Sequence, residues 1–250
     1  MDGPLSVQGS ENLHNVKRII RLISVLAALV LSAVGAMAGQ TILSTNDSLL
    51  TQAGAIMLHS NGQKIASAFV LGPQQDVVTC WHVFKGARDR YHETNLLFIS
   101  GQGVNNLTLK YALPDYDFAV FSADPPIKGV PFQAGDFAKL NEDDSIIYMG
   151  YDRKQSSTFV TSTEIAYAWA RKKASLTNNG VKVDIVVFVG ETGPGWSGGP
   201  VFNTNLEVVA VITGRGEQNV VVANSIAPIL DYEKSRSQTN APPARQSAPH

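Results

Sequence analysis

A single serine, Ser197, stands inside the glycine-rich segment GETGPGWSGGPVF, which runs from residue 190 to residue 202. Five of these thirteen residues are glycine and two are proline. Gly and Pro are the usual residues of turns, so the segment taken alone predicts a turn without chemistry. Glycines around one hydroxyl also allow backbone N–H groups to converge on a single point. There they can bind the oxygen that becomes negatively charged when the hydroxyl attacks a carbonyl. Other residues of the chain must decide between these two interpretations.

The order of the remaining candidate residues favours a nucleophile. The run GWSGG matches the G-x-S-x-G pattern of α/β-hydrolases, but that fold needs a histidine after the serine. The only histidine after Ser197 is His250, the last residue, and the following GGPVF is a poor helix start. Upstream, VVTCWHVF contains His82 and PDYDFAVF contains Asp117. The order His82, Asp117, Ser197 is that of chymotrypsin-type hydrolases.

These residue types have complementary roles. A serine hydroxyl is a poor nucleophile at neutral pH and needs a base within hydrogen-bond reach. We predict that His82 takes the proton of Ser197 and that Asp117, as a buried carboxylate, fixes the histidine tautomer. The backbone N–H groups of Gly195 and Ser197 are predicted to form an oxyanion hole.

Three segments of the chain resemble the trypsin-like serine peptidases, most closely their bacterial HtrA-type and glutamyl-endopeptidase-like members. They are SAFVLGPQQDVVTCWHV, DYDFAVF and GPGWSGGPVFN, and the resemblance extends over about Ala53 to Asp231. It implies an all-β fold of two six-stranded antiparallel β-barrels and the hydrolysis of peptide bonds. The aspartate of the family pattern lies directly before an apolar strand, which favours Asp117 over Asp115.

The same resemblance implies where a substrate side chain binds. A carboxylate facing this pocket would favour a basic side chain before the scissile bond, and an arginine would favour an acidic one. Glu191 and Arg215 could equally pair with each other and narrow the pocket. The residues expected to line it are Glu191, Thr192, Thr213, Gly214 and Arg215.

Two departures from the family pattern change what is expected. Trp196 replaces the acidic residue that pairs with a newly cut N-terminal amine in digestive-type members, so we expect no activation by propeptide cleavage. The oxyanion hole is then expected to be held by local packing, with the indole against the first barrel, or to be ordered by the substrate itself. HtrA-type members carry a PDZ domain, for which the 19 residues after Asp231 are too few, so none is expected.

The rest of the chain predicts the elements that position these residues. From about Leu50, short β-like runs alternate with turns, as in all-β barrels. The proline-rich ADPPIKGVP reads as a connector, and SIAPILDYEK, residues 225–234, reads as a helix. We therefore predict an N-terminal barrel over 48–124, a C-terminal barrel and helix over 125–235, and a disordered tail over 236–250.

The N-terminus predicts export. Lys17, Arg18 and Arg21 come before an apolar run over residues 22–38 that ends in Ala-Met-Ala. This order is that of a secretory signal peptide, here over residues 1–38, and the product would be periplasmic or secreted. The alternative is a membrane anchor, but the run is shorter than the ~20 apolar residues that a spanning helix needs. Contact with the membrane is thus expected only in transit.

Composition limits the partners and cofactors. The formal net charge is −1, which gives no basic surface for nucleic acid. Cys80 is the only cysteine, so no internal disulfide forms, and we expect it to be a small buried hydrophobe. We expect a peptide or protein substrate and no cofactor or metal, while the sequence does not indicate an oligomeric state. The alternative hypothesis is a protease-like protein that binds peptides or partners without cleaving them.

Overall fold

The short apolar runs form twelve antiparallel strands in the computed structural model, which describes residues 52–101, 103–151 and 163–239. They close into two six-stranded barrels, which confirms the predicted fold class. The first barrel contains β1 (Ala53–Leu58), β2 (Lys64–Leu71), β3 (Asp76–Cys80), β4 (Leu96–Ser100), β5 (Gly103–Leu113) and β6 (Phe118–Asp124). The second contains β7 (Ser145–Tyr151), β8 (Thr163–Asn178), β9 (Val181–Val189), β10 (Pro200–Phe202), β11 (Val208–Arg215) and β12 (Val220–Ser225).

The two barrels repeat one topology. Neighbouring strands follow the order β1-β2-β3-β6-β5-β4 in the first barrel and β7-β8-β9-β12-β11-β10 in the second. The β-like runs of the sequence each overlap one of these strands, although strands such as β5 and β8 extend beyond the runs. The predicted connector ADPPIKGVP begins within the last two residues of β6 and leads out of the first barrel.

Apolar packing joins the barrels along a shared face. Strands β1 and β3 are buried at every residue because one face lines a barrel and the other meets neighbouring structure. Phe132, in the connection between the barrels, lies 4.8 Å from Phe202 of the second barrel and 6.4 Å from Phe69 of the first, between ring centroids. The cleft between the barrels is therefore bounded by rigid, buried strands.

A helix that the sequence analysis did not predict follows β3. The run DVVTCWHVF reads as one β segment, but the strand ends at Cys80 and α1 spans Trp81–Tyr91. Val83, Phe84 and Ala87 are its buried residues, on one helical face. A short apolar run does not distinguish a strand from the first turn of a helix, which explains the error.

The C-terminal helix, α2, spans Ala227–Thr239 and returns to the first barrel. Tyr232 stacks on Tyr111 with ring centroids 4.3 Å apart, and the Tyr111 hydroxyl donates to Glu233 Oε1 at 2.8 Å. The helix continues past the predicted end at residue 234, so residues 236–239 are helical rather than part of a tail. Their polar composition is accommodated because hydroxyls such as that of Ser237 bond back to carbonyls of the preceding turn.

Two predicted segments lie outside the described residues. These are the signal peptide over residues 1–38 and the part of the tail over residues 240–250. Among the residues that the structure describes, no helix is both long and apolar enough to cross a membrane.

Candidate active site

Strand pairing brings His82 and Asp117 together. The antiparallel pairing of β3 with β6 ends where Cys80 lies opposite Phe118. The next residue, Trp81, donates its backbone N–H to the carbonyl of Asp117 at 3.0 Å. The register of two buried strands therefore places the first turn of α1 beside the loop before β6.

The Asp117 carboxylate bonds to two nitrogens of His82. Its Oδ2 lies 2.7 Å from His82 Nδ1, and its Oδ1 accepts the backbone N–H of His82 at 2.8 Å. An ionised carboxylate only accepts hydrogen bonds, so this contact assigns the proton to Nδ1. His82 Nε2 is then the ring nitrogen that can accept a proton.

The conformation of the loop before β6 brings the side chain of Asp117, rather than that of Asp115, to His82. A short 3₁₀ turn, Pro114–Tyr116, ends at Asp117, whose φ of 60° is left-handed. Asp tolerates this conformation better than most residues. The carboxylate of Asp115 points elsewhere, because its Oδ1 accepts from Asn179 Nδ2 at 3.1 Å.

Asp117 is less buried than the sequence analysis expected. Its side chain is 24 % exposed, and that of His82 is 48 % exposed. The reason is a cavity of about 300 Å³ between the barrels, which Asp117 lines together with Thr213, Gly214 and Arg215. One side of the carboxylate thus faces the cleft.

Ser197 and the residue after it are anchored by backbone hydrogen bonds to β2 and β11. The Ser197 carbonyl accepts the N–H of Ser67, in β2, at 2.9 Å. The next residue, Gly198, donates to the carbonyl of Ile212 at 2.8 Å, and the Cys80 thiol donates to the same oxygen at 3.2 Å. Gly198, next to Ser197, and Cys80, two residues before His82, therefore meet at one carbonyl of β11.

Only glycine fits directly after Ser197. Gly198 has a φ of 89°, and a Cβ there would lie 2.2 Å from the Ser67 carbonyl oxygen and 2.3 Å from Thr79 Oγ1. The loop that carries Ser197, residues 190–199, is called the serine loop here, and its backbone packs directly on the backbone of the first barrel. The Ser197 hydroxyl makes no hydrogen bond within the described residues, and catalytic hydrogen bonds often tighten only when substrate binds.

Two backbone donors near Ser197 are unused. The carbonyl of Trp196 accepts from Gly199 N–H at 3.0 Å, and a peptide's N–H points opposite to its carbonyl, so the Ser197 N–H faces the other way. Gly195 has a φ of 110°, which an L side chain rarely adopts. Neither the Gly195 nor the Ser197 N–H donates a hydrogen bond in the part of the chain that the structure describes.

Trp196 packs in the second barrel, so the expectation that it packs against the first is wrong. Its side chain is 3 % exposed and belongs to the second barrel's apolar core. Its ring lies 5.5 Å from that of Tyr148 and covers Gly150, where a Cβ would come within 2.3 Å of the indole. The absence of a side chain at Gly150 of the second barrel leaves the space that the indole fills.

Arg215 links the two segments predicted to line the pocket, the one that contains Thr192 and the one on β11. Its Nη1 donates to the Thr192 carbonyl at 2.6 Å, and its Nη2 donates to Asn219 Oδ1 at 2.9 Å. No ion pair between Glu191 and Arg215 is present, so the guanidinium is held by backbone and amide groups instead. Thr192 is 8 % exposed, and its hydroxyl has no hydrogen-bond partner in the described chain.

Thr213 and Gly214 lie on β11 beside this bridge. Thr213 Oγ1 donates to Asn224 Oδ1 at 3.1 Å, and Asn224 Nδ2 donates to the Tyr116 carbonyl at 3.0 Å. These bonds connect the pocket wall to the loop that carries Asp117. A Cβ at Gly214 would meet nothing within 4 Å, so space is open at this point of the cleft.

Cys80 lies behind the histidine and the aspartate. The thiol sulfur, His82 and Asp117 offer ligand atoms within 4.8 Å of one another. Burial, and then the Asp117 carboxylate, raise the pKa of the Cys80 thiol well above its usual value, so the thiol stays protonated. Because the thiolate is the form that binds metals and attacks carbonyls, this environment opposes both roles.

Sequence reasoning missed one residue of the site, Ser67. Its hydroxyl donates to the Gly195 carbonyl at 2.6 Å, although the two residues are far apart in sequence. The segment SAFVLG reads only as a strand, and a serine within a strand carries no signal of a distant backbone partner.

Comparison with known proteins gives a family and a fold. A family model described as the trypsin-like peptidase domain matches residues 66–211, more than half of the chain. A sequence search of curated proteins finds no match.

Solved protease structures share the fold at low sequence identity. The active form of the Rv3671c protease from M. tuberculosis is 18 % identical with a TM-score of 0.59, over 74 % of this chain and 80 % of that one. The HtrA-type protease AlgW with a tripeptide is 16 % identical with a TM-score of 0.59, over 74 % of this chain and 60 % of that one. The protease domain of MamO from Magnetospirillum magneticum is 13 % identical with a TM-score of 0.56, over 75 % of this chain and 98 % of that one.

Proposed function

Because this chain belongs to the trypsin-like peptidase family and is a serine endopeptidase, we propose that it cleaves peptide bonds with His82, Asp117 and Ser197, through an acyl-enzyme, after export. The observation that carries the proposal is the pair of hydrogen bonds from His82 to the Asp117 carboxylate, at 2.7 and 2.8 Å, beside a serine loop that backbone hydrogen bonds attach to both barrels.

In the first half of the reaction, Ser197 Oγ attacks the scissile carbonyl carbon and its proton passes to His82 Nε2. Asp117 keeps the other ring proton on Nδ1 and stabilises the imidazolium that forms. The carbonyl oxygen becomes negatively charged in the tetrahedral intermediate, and the Gly195 and Ser197 N–H groups bind it. Each such donor contributes about 3 to 4 kcal/mol to stabilising the transition state.

In the second half, the C–N bond breaks and His82 gives its proton to the leaving amine. The acyl group stays on Ser197 Oγ as an ester. A water molecule then loses a proton to His82 and attacks the ester, and His82 returns the proton to Ser197 Oγ as the acid departs. Every proton therefore passes through one imidazole whose tautomer Asp117 fixes.

Covalent labelling with a fluorophosphonate tests this proposal. The probe forms a bond between Ser197 Oγ and phosphorus and releases fluoride, which requires an activated serine. We expect one label per chain, located by mass spectrometry on the peptide that contains Ser197. Labelling should disappear in Ser197→Ala and persist in Ser122→Ala, which changes an exposed serine of β6.

Labelling at another residue, or labelling that survives Ser197→Ala, would contradict the assignment of the nucleophile. A folded wild-type chain that takes up no probe and cleaves no peptide would instead favour the peptide-binding alternative.

The packing of Trp196 supports activity without a newly cut N-terminus. An indole cannot pair with an α-amine, and apolar contacts with Tyr148 and Gly150 already hold the serine loop. We expect chains that begin at Gly39, Ser44 and Ser48 to have equal active fractions when titrated with the fluorophosphonate.

N-terminal sequencing of the exported protein should read Gly39 first, as the signal peptide predicts. A chain that still begins at Met1 would support a retained anchor. Activity confined to one of the three starts would contradict the proposed independence from the N-terminus, and acetylated versions of each start serve as controls for the α-amine.

A further inference from the structure

Ser67 contacts the serine loop on both sides of Trp196. Its Oγ donates to the carbonyl of Gly195 at 2.6 Å, and its backbone N–H donates to the carbonyl of Ser197 at 2.9 Å. The residue is 1 % exposed and lies in β2 of the first barrel. One residue of the first barrel thus holds two successive turns of the loop that carries the oxyanion donors.

The hydroxyl proton of Ser67 is directed at Gly195. The oxygen of the hydroxyl accepts the backbone N–H of Tyr151, at the end of β7, at 2.8 Å. A serine hydroxyl has a single proton to donate. Because the Tyr151 N–H donates to the Ser67 oxygen, the hydroxyl cannot donate its own proton to that group. The proton is therefore donated to the Gly195 carbonyl.

Gly195 needs such an anchor because it has no side chain to hold it. Its φ of 110° lies in a region that glycine adopts without strain. For the same reason, nothing in the glycine itself prevents it from rotating to another φ. Fixing the Gly195 carbonyl fixes the rotation between Cα and the carbonyl carbon. The Gly195 N–H, one of the two proposed oxyanion donors, belongs to the preceding peptide bond and is then left with a single rotation relative to the fixed carbonyl, that about the N–Cα bond.

We propose that Ser67 is a positioning residue that keeps the Gly195 N–H directed at the oxyanion, an inference that rests on the proposed peptidase mechanism. It touches neither the substrate nor the reacting atoms. Its hydroxyl acts through Gly195 and connects the serine loop by hydrogen bonds to both barrels. It provides a fixed attachment in a chain where Trp196 excludes an ion pair with an N-terminal amine.

Steady-state kinetics of Ser67→Ala test the proposal. The variant leaves the Gly195 carbonyl and the Tyr151 N–H without this partner. We expect kcat to fall about 10- to 100-fold, less than the loss of a whole oxyanion donor, while KM changes less than about threefold. Affinity for a peptide aldehyde, whose adduct places an oxygen in the hole, should fall by the same factor as kcat.

Two variants separate positioning from general stability. Ser225→Ala removes another buried serine hydroxyl, which accepts the N–H of Ala227 at the start of α2, and should lower the melting temperature without lowering kcat. Ser67→Cys keeps the size of the side chain with a weaker donor, and should give a kcat between those of wild type and Ser67→Ala. It also provides a folded variant if the alanine chain unfolds.

Three outcomes would overturn the inference: an unchanged kcat in Ser67→Ala or Ser67→Cys, a loss confined to KM, or unchanged aldehyde affinity. Each presupposes a wild-type chain that takes up the fluorophosphonate. A wild-type chain that does not react would contradict the peptidase mechanism itself, so the two failures are distinguishable.

Discussion

Replacing Ser197 with alanine should lower kcat by about 10⁶-fold and leave the fold intact. The hydroxyl is the proposed nucleophile, and the other hydroxyl of this loop, that of Thr192, is on a buried side chain. Its loss removes no hydrogen bond, since the described structure gives Ser197 Oγ no partner, so the melting temperature should change little. The measurement is the hydrolysis of the best cleaved peptide in a library, together with thermal unfolding.

Single and double variants of Ser197 and His82 test whether the proposed nucleophile and base act as a unit. His82→Ala should lose about as much activity as Ser197→Ala, and the double variant should lose no more than either, because the two residues act as a unit. Ser122→Ala is the matched control and should retain full activity. Additive losses in the double variant, or a Ser197→Ala chain with wild-type turnover, would contradict the assigned roles.

The candidate catalytic residues could be picked out from the sequence because each one interrupts a regular pattern. Five glycines around Ser197, a histidine after VVTC and an aspartate before FAVF stand apart from the apolar strands beside them. Strand runs were equally visible, since alternation and turn residues are local properties. The predicted barrels follow from these local signals and from the family resemblance.

Tertiary contacts could not be inferred in this way. The indole of Trp196 could pack on either barrel, and the choice depends on the space above Gly150, which is distant in sequence. Arg215 could pair with Glu191 by charge, yet the geometry gives it the Thr192 carbonyl and Asn219. Ser67 reads as an ordinary strand residue because its partner, Gly195, is brought near only by the docking of two barrels.

Replacing Asp117 with asparagine should lower kcat about 10⁴-fold without disturbing the fold. The carboxylate accepts two N–H groups of His82, one from the backbone and one from Nδ1. An asparagine has one oxygen and one NH₂ group, and the backbone N–H can only donate, so the oxygen faces the backbone. The NH₂ group then faces Nδ1, which must become an acceptor.

This exchange moves the histidine proton to Nε2, the nitrogen that has to accept the proton of Ser197. The variant therefore retains all atoms of the site but has the wrong tautomer, which NMR of ¹⁵N-labelled histidine detects directly. KM should change little, because Asp117 stabilises the imidazolium rather than the bound peptide.

Asp115→Asn is the matched control, since it alters the same loop two residues away. The Asp115 carboxylate accepts from Asn179 and makes no bond to His82. We expect its kcat to stay within about threefold of wild type, because an asparagine oxygen can still accept from Asn179 and no bond to His82 is lost. Equal losses in the two variants would mean that the loop, rather than the Asp117 carboxylate, matters for catalysis. An Asp117→Asn chain with a proton still on Nδ1 and normal turnover would contradict the proposed role of this residue.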